Sequence, residues 1–440
     1  MGRIIFWFKR DLRIEDNRGL QAAAAAASEI IPVFVFDRKL LLHLEGPESR
    51  TGFLVASLDE LDRKLREKGS RLYCFYGDPE KIFERLIAEL HPAAVYTNRS
   101  YSWSGERTQK KVERLCRQKG VDFRDFNDSL LVPPEKIEAR KVYTPFFRLW
   151  LRALSSEEVS IATLPERLKT PLLKLPTLSV SIKELPYEMN RYWEPDYALK
   201  RLKEYDFKRY DRDRHRLDLD GTSRLSVGLR FGLVSVRQIF RQAIKKLPPD
   251  SQFVKELAWR EFWYHLRHHF PWTENLEFQE KRRGLRWLNR DEDIRAVEEA
   301  RTGYPVVDAA IRQLKQEGWM HNRARLIVAS FLTKDLLIDW RTGEKLFRKY
   351  LLDYDEVVNT GNWQWSASVG ADPRPLRIFN PQLQAEKYDP QCRYIKKYLP
   401  ELKKFSCRQI HALELPGYHQ PIVDHRSALV RLRQVYFSKA

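Results

Sequence analysis

The sequence predicts an α/β N-terminal domain, a doubly wound parallel sheet, joined to a large all-helical C-terminal domain. Three observations predict it. Short apolar runs alternate with helical patterns over residues 1–130. A proline-punctuated stretch, 131–195, carries no long periodicity and reads as an interdomain connector. From about Trp193 onward apolar residues recur at i, i+3 and i+4, so 196–440 is expected to be helical throughout. At 440 residues the chain is also too long for one ordinary core.

The N-terminal elements follow in order. RIIFWF is a buried strand, too short for a signal peptide and followed at once by KRDLR. DNRGLQAAAAAASE is a helix, with Asp16 or Asn17 as its cap. IIPVFVFD is the second strand, and SLDELDRKLREKG is a helix ended at Gly69. SRLYCFYG, AAVYTN and VDFRDFN are strands, separated by the helices PEKIFERLIAEL and GERTQKKVERLCRQKG. Strand–helix alternation at this spacing gives a parallel sheet covered on both faces. No GxGxxG or Walker motif is present. Ligands of such sheets bind beyond the strands' carboxyl ends, here FKRDLRIEDN and NRSYSWSGER. In the helical half, VDAAIRQLKQEG, RARLIVASFLTKDLLIDW and GEKLFRKYLLD all carry the helical apolar period, and no internal repeat is visible.

Composition narrows the function. The formal net charge is +19, which suits a polyanionic partner, and 12 tryptophans suit stacked bases or a flat cofactor. An ion-pair-rich surface is the plainer reading of a chain with 32% charged residues. No apolar run is long enough for a membrane span. The four cysteines, Cys74, Cys116, Cys392 and Cys407, form no CxxC pair, so zinc and iron–sulfur centres are not expected and a reducing cytoplasm is. His265, His268 and His269 lack a HExxH carboxylate, and no metal is expected there.

Four clusters in the helical half can carry chemistry. In YDRDRHRLDLDGTSRLSVGL, Tyr210 and Arg214 share a helical face, and Thr222 and Ser223 precede an apolar helix that their hydroxyls can cap. In ELAWREFWYHLRHHF, Glu256, Trp259 and Arg260 stand at i, i+3 and i+4, an acid, a flat ring and a guanidinium together. Asn322, Arg323 and Arg325 open an apolar helix, where two arginines oppose the helix dipole. In DYDEVVNTGNWQWSAS, Trp363 and Trp365 point to different faces, and Asp353 or Asp355 can pair with Arg325. Each cluster alone also reads as ordinary helix capping, ion pairing or core packing.

Together, TGYPVVDAAIRQL, NRARLIVASFLTKDLLIDWR and WQWSASVGADPRPLRIFNP resemble the photolyase/cryptochrome family, most closely its microbial class I cyclobutane pyrimidine dimer photolyases. The resemblance extends from FWFKRDLRIEDN to YHQPIVDH. It implies a non-covalent FAD in the helical domain. The reduced flavin, excited by light, passes an electron to a dimer flipped out of DNA, and the electron returns after the ring splits. Flavin contacts fall on Tyr210, Thr222, Ser223, Arg224, Leu225, Ser226, Arg260, Arg325, Asp353, Asp355 and Asn359. Substrate contacts fall on Arg214, Glu256, Trp259, Asn322, Arg323 and Trp365, with Asn322 favouring the cyclobutane dimer over the (6–4) product. A family methionine near the pocket is Leu326 here. The electron relay falls on Trp363, Trp340 and Trp287. The N-terminal sheet is implied to hold an antenna chromophore, a folate, deazaflavin or second flavin, with Glu106 as a loose match to a folate-binding acid. Arg374, Arg377, Lys396 and Lys397 are candidates for the DNA backbone. Damaged DNA is the implied partner, and a cytoplasmic monomer without an obligate protein partner is expected. The alternative is a cryptochrome-type blue-light signalling flavoprotein without repair activity. Asn359 and the short stretch after PIVDHRSALV argue against it. A DNA-binding protein without photochemistry is a third reading, and it predicts colourless protein.

Overall fold

The computed structural model describes residues 2–37, 49–171, 193–372, 374 and 376–437. They form two compact units. One comprises Met1–Glu138, Phe147–Phe207 and Arg224–His265, and the other Ala139–Phe146, Lys208–Ser223 and Leu266–Ala440. Residues 224–265, which the sequence pattern groups with the helical half, cluster with the sheet. Residues 172–192 of the expected connector lie outside the described residues.

The expected α/β architecture is present in the first unit. Five parallel strands, β1 (Arg3–Phe8), β2 (Glu29–Phe36), β3 (Tyr73–Tyr76), β4 (Ala94–Asn98) and β5 (Asp122–Phe126), lie in the order β3-β2-β1-β4-β5. β1 is central, with Ile5 opposite both Ile31 and Val95, and every residue from Ile4 to Phe8 is buried. Such continuous apolar runs belong to a sheet covered on both faces. The crossovers are α1 (Arg18–Ala26), α2 (Ser49–Glu67), α3 (Pro79–Leu90) and α4 (Trp103–Gln118).

Asn17, not Asp16, caps α1, accepting from the Leu20 N–H at 3.0 Å. Asp16 is instead buried and receives Arg237 Nε at 3.0 Å, from helix α5 (Val236–Ile244). Arg237 is fully buried and also donates to Asp128 at 2.6 Å, which Arg13 holds from the other side at 2.5 Å. Buried charges persist only when paired in this way. The cluster fastens α5 to the loop after β1, which accounts for the grouping of these helices with the sheet. Helix α6 (Gln252–His269) follows.

The second unit is helical. Its core draws on α7 (Pro305–Glu317), α8 (Asn322–Ser330), α9 (Trp340–Tyr350) and α10 (Glu356–Ser366), with Ile311, Leu314, Ile327, Trp340 and Trp363 among the buried side chains. Helices α11 (Pro381–Tyr388) and α12 (His425–Phe437) complete the elements used below. The apolar period of RARLIVASFLTKDLLIDW does not make one continuous helix. α8 ends at Ser330, Phe331–Asp335 form a π-helical turn, and Leu337 adopts φ 52° before Asp339 caps α9. Two polar side chains are drawn inward there. Thr333 Oγ1 donates to the Ala329 carbonyl at 2.7 Å, and Lys334 Nζ donates to the Ala367 carbonyl at 2.5 Å. Among the described residues no helix is long and apolar enough to cross a membrane.

Candidate functional site

Helix α10 carries polar residues of DYDEVVNTGNWQWSAS as a stripe. Asp355 is its N-cap and accepts from the Val357 and Val358 N–H groups, both at 3.1 Å. Asn359 and Trp363 follow at one-turn intervals on the same face. α8, α9, α10 and the loop Asp353–Asp355 line an open cavity of about 160 Å³. Asn322, Arg325, Asp353, Asp355, Asn359 and Trp363 all line it, with Leu326, Phe347, Leu351 and Val358 as apolar wall. An apolar lining with a few polar groups is what a flat organic ligand needs.

Charge in the cavity is balanced by pairing. Asp353 is buried, and Arg325 Nη2 donates to both its oxygens, at 3.0 and 2.8 Å. Arg325 Nε also donates to the Met320 carbonyl at 2.9 Å. The arginines at the start of α8 are thereby explained: Arg325 is neutralised by Asp353, and Arg323 lies over the Tyr388 ring at 4.4 Å.

Two residues here had no place in the sequence reading. Asn359 Nδ2 donates to Glu344 Oε1 at 3.1 Å, and the Tyr354 hydroxyl donates to the same oxygen at 2.7 Å. Burial pushes the Glu344 carboxyl above the usual carboxylate range, with both donors opposing the shift. The signal was available: Glu344 stands with Trp340, Phe347 and Leu351 on the apolar face of α9, where an acid is out of place. With its amide hydrogens turned to Glu344, Asn359 keeps Oδ1 as an acceptor.

The three tryptophans on which the relay is expected to fall lie in this unit. Trp363 is buried, its ring edge-on to Phe347 at 4.9 Å, and its Nε1 has no hydrogen-bond partner among the described residues. Trp340 is buried, donates Nε1 to Glu277 at 3.2 Å and lies under the Arg341 guanidinium at 4.5 Å. Trp287 is partly buried and meets Tyr436 at 6.3 Å. As expected, Trp365 faces away from Trp363: Arg377 covers its ring at 4.3 Å and is itself paired with Asp372. Lys397 pairs with Glu317 at 3.2 Å.

Arg214 stacks over Tyr210 at 5.6 Å, on the face that their spacing gives them. One expectation is corrected. The N-cap position of the next helix, Ser226–Phe231, is held by Leu225 and not by Thr222 or Ser223. The backbone at Arg224 is left-handed, φ 53°, so the chain turns before the helix begins. Ahead of them, a Cβ on Gly221 would meet the Asp213 carbonyl oxygen at 2.5 Å, so only glycine allows this close approach.

The remaining predicted residues belong to the first unit. On α6, Glu256 accepts from Gln252 at 2.9 Å, Trp259 stacks obliquely on Trp263 at 5.6 Å, and Arg260 donates to the Ser129 carbonyl at 2.9 Å. Glu106 lies in the first turn of α4, paired with Lys110 at 2.6 Å. The strand order reverses between β1 and β4, where such sheets take ligands. There Lys9 Nζ donates to Gln109 at 2.6 Å, and burial lowers its pKa to about 7.

With this geometry in hand, the chain can be set beside known proteins. A family model described as DNA photolyase matches residues 4–168, and one described as the FAD binding domain of DNA photolyase matches residues 253–438. A Synechococcus protein named deoxyribodipyrimidine photo-lyase is 37% identical, over 98% of this chain and 96% of its own. The crystal structure of a Sulfolobus tokodaii archaeal photolyase with two FAD molecules superposes with a TM-score of 0.89 at 32% identity, covering 99% of each chain. A bacterial class III photolyase from Agrobacterium tumefaciens gives 0.88 at 35% identity, covering 99% of this chain and 97% of its own.

Proposed function

From the premise that the chain belongs to the DNA photolyase family, we propose that it repairs cyclobutane pyrimidine dimers in DNA, driven by light and by a bound FAD. When bound, reduced FAD supplies an excited one-electron donor whose electron is returned, so the reaction has no net redox change.

The residues fit this group. The cavity beside α10 has an apolar wall for a fused ring, and a buried indole N–H at Trp363 with no partner among the described residues. Arg325 and Asp353 would hold polar edges as a neutral pair. Asn359 Oδ1 would accept a hydrogen bond from the ring without adding charge. Tyr210, Thr222, Ser223, Arg224, Leu225, Ser226, Arg260 and Asp355 would carry the rest of the cofactor, including its diphosphate. Trp363, Trp340 and Trp287 would relay electrons that keep it reduced.

For the lesion, Glu256 would hydrogen-bond the extruded dimer, and Trp259 and Trp365 would each offer it an aromatic ring. Taking the target out of the stack is how enzymes reach a base inside a duplex. Asn322, Arg323 and Arg214 would hold its edge and the flanking phosphates. The sheet domain would carry a second, antenna chromophore, and the protein would act as a cytoplasmic monomer.

The observation that carries this reading is the α10 stripe, Asp355, Asn359 and Trp363 on one cavity wall with Arg325–Asp353 opposite. The test is illumination of the reduced holoprotein with an oligonucleotide containing one thymine dimer. Thymines should be restored in light and not in darkness. Glu256→Ala should keep its flavin and lose roughly tenfold or more in repair, the usual scale for a positioned polar group. Absence of light-dependent repair by the unaltered protein would remove the assignment.

A further inference from the structure

Two cysteines and a histidine of the helical unit, Cys392, Cys407 and His411, meet at one spot. Cys392 stands immediately before the helix Arg393–Tyr398, with a left-handed backbone, φ 50°, that is uncommon for a residue with a side chain. Its Sγ lies 3.2 Å from His411 Nε2 and 3.9 Å from the carbonyl oxygen of Cys407, 15 positions further on. The two cysteine side chains are also hydrogen-bonded to each other. Both are free thiols. Cys392 is fully buried, whereas Cys407, at the start of the helix Cys407–Ala412, is partly exposed.

The reactivity of a thiol follows its access to solvent and a neighbour that can take its proton. Cys74 and Cys116 lack access: both are buried in the first unit, and burial above all raises both thiols to about 12. Burial raises the Cys392 thiol too, helped by Cys407 and Asp389 and opposed by Lys396. Among the described residues, however, only Cys392 has an imidazole at hydrogen-bonding distance from its sulfur. The two thiols are therefore suited to different steps. Cys407 can meet a dissolved oxidant, and Cys392, with a base at hand, can close on the product.

We propose that Cys392 and Cys407 are a redox pair that a hydroperoxide closes to a disulfide, with His411 as the base. The peroxide oxidises Cys407: an S–O bond forms, the O–O bond breaks, and a sulfenic acid and an alcohol result, the alcohol being water when hydrogen peroxide is used. The Cys392 thiol gives its proton to His411 Nε2, and its sulfur attacks the Cys407 sulfur. The S–S bond forms, the S–O bond breaks, and the departing hydroxide takes the proton from His411 and leaves as water. Two thiols have then given two electrons to one peroxide, and His411 is neutral again. The bond ties the start of the helix Arg393–Tyr398 to that of the helix Cys407–Ala412. In a reducing compartment such a disulfide is transient and serves redox sensing.

The test treats the flavin-loaded protein with hydrogen peroxide, alkylates the remaining thiols and maps the peptides by mass. The disulfide found should be Cys392–Cys407, reopened by dithiothreitol, with Cys74 and Cys116 still alkylated after unfolding. Cys392→Ser should halt the sequence at a Cys407 sulfenic acid, which dimedone traps. His411→Ala should slow disulfide formation roughly tenfold or more, the scale of a positioned base, at unchanged flavin content and melting midpoint. In the Cys392→Ser background the same change should leave the rate of dimedone trapping as it was. Peroxide-treated protein in which Cys392 and Cys407 both stay alkylatable would overturn the proposal. So would a bridge to another cysteine or to a second molecule, a Cys392→Ser protein with no trappable Cys407, or a His411→Ala protein that closes at the parent rate.

Discussion

Asn359 gives its amide hydrogens to Glu344, and that bond fixes which end of the amide the cavity meets. The acid is itself held above its usual pKa by burial. A carboxyl raised in the folded state stabilises the fold most at pH below its unfolded pKa, about 4.3, and that contribution is lost as pH rises through the folded value. Glu344→Gln keeps an acceptor for Tyr354 and Asn359 and removes the charge. Its melting midpoint should therefore fall less than that of the unaltered protein between pH 5 and pH 8. Parallel midpoints for the two proteins would mean that Glu344 does not titrate in that window. At this scale the sequence was legible where chemistry is local. Charge alone gave Arg325 either Asp353 or Asp355 as partner, of which the structure takes Asp353, and the different faces of Trp363 and Trp365 followed from helical spacing. Glu344 was legible too, as an acid on the apolar face of α9, but its partners Tyr354 and Asn359 lie outside that helix.

Helices α9 and α10 meet without a spacer. A Cβ on Gly343 would lie 2.2 Å from the Trp363 ring, so the glycine is what lets the two helices close on that indole. Gly343→Ala should cost about 1–3 kcal/mol by overpacking, even though alanine is the better helix former. A thermal melt checks the loss, and Trp363 fluorescence should shift with it. A variant as stable as the parent would show that α9 can slide at no cost. The strands and most helices were predictable from period and punctuation, since each element's apolar face repeats within its own residues. The break after Ser330 was not, because the apolar period runs on through the π turn. Lys334 and Thr333 accept that turn only because Ala367 and Ala329 offer carbonyls. The cap expected from Thr222 and Ser223 failed for a related reason: Arg224's left-handed backbone places the helix start further on.

On the scale of the whole molecule, a formal charge of +19 is expressed through a surface rich in ion pairs. Many arginines and lysines are already committed, among them Arg377 to Asp372 and Lys397 to Glu317, two of the positions first considered for the DNA backbone. The cations left for phosphate are fewer than composition suggests. Binding should still be strongly salt-dependent, because each phosphate contact releases a counterion. For about six contacts, affinity for dimer-containing DNA should fall on the order of 10³-fold between 50 and 200 mM salt. A flat salt profile in a filter-binding or anisotropy titration would mean that the charge excess serves solubility alone.

The chain's order of strands and helices, its family and the residue types of its site were all determined by the sequence, because they rest on short-range periodicity and on motifs that survive as strings. Tertiary structure alone decided that residues 224–265 cluster with the sheet, fastened by Arg237 between Asp16 and Asp128. It alone decided that Asn359 answers to Glu344, and that His215 stands between two arginines. Apart from Arg214, which adjoins His215, these contacts join residues that are not neighbours in the chain. Their energies depend on burial and on the count of available donors and acceptors, which exist only once the chain is folded.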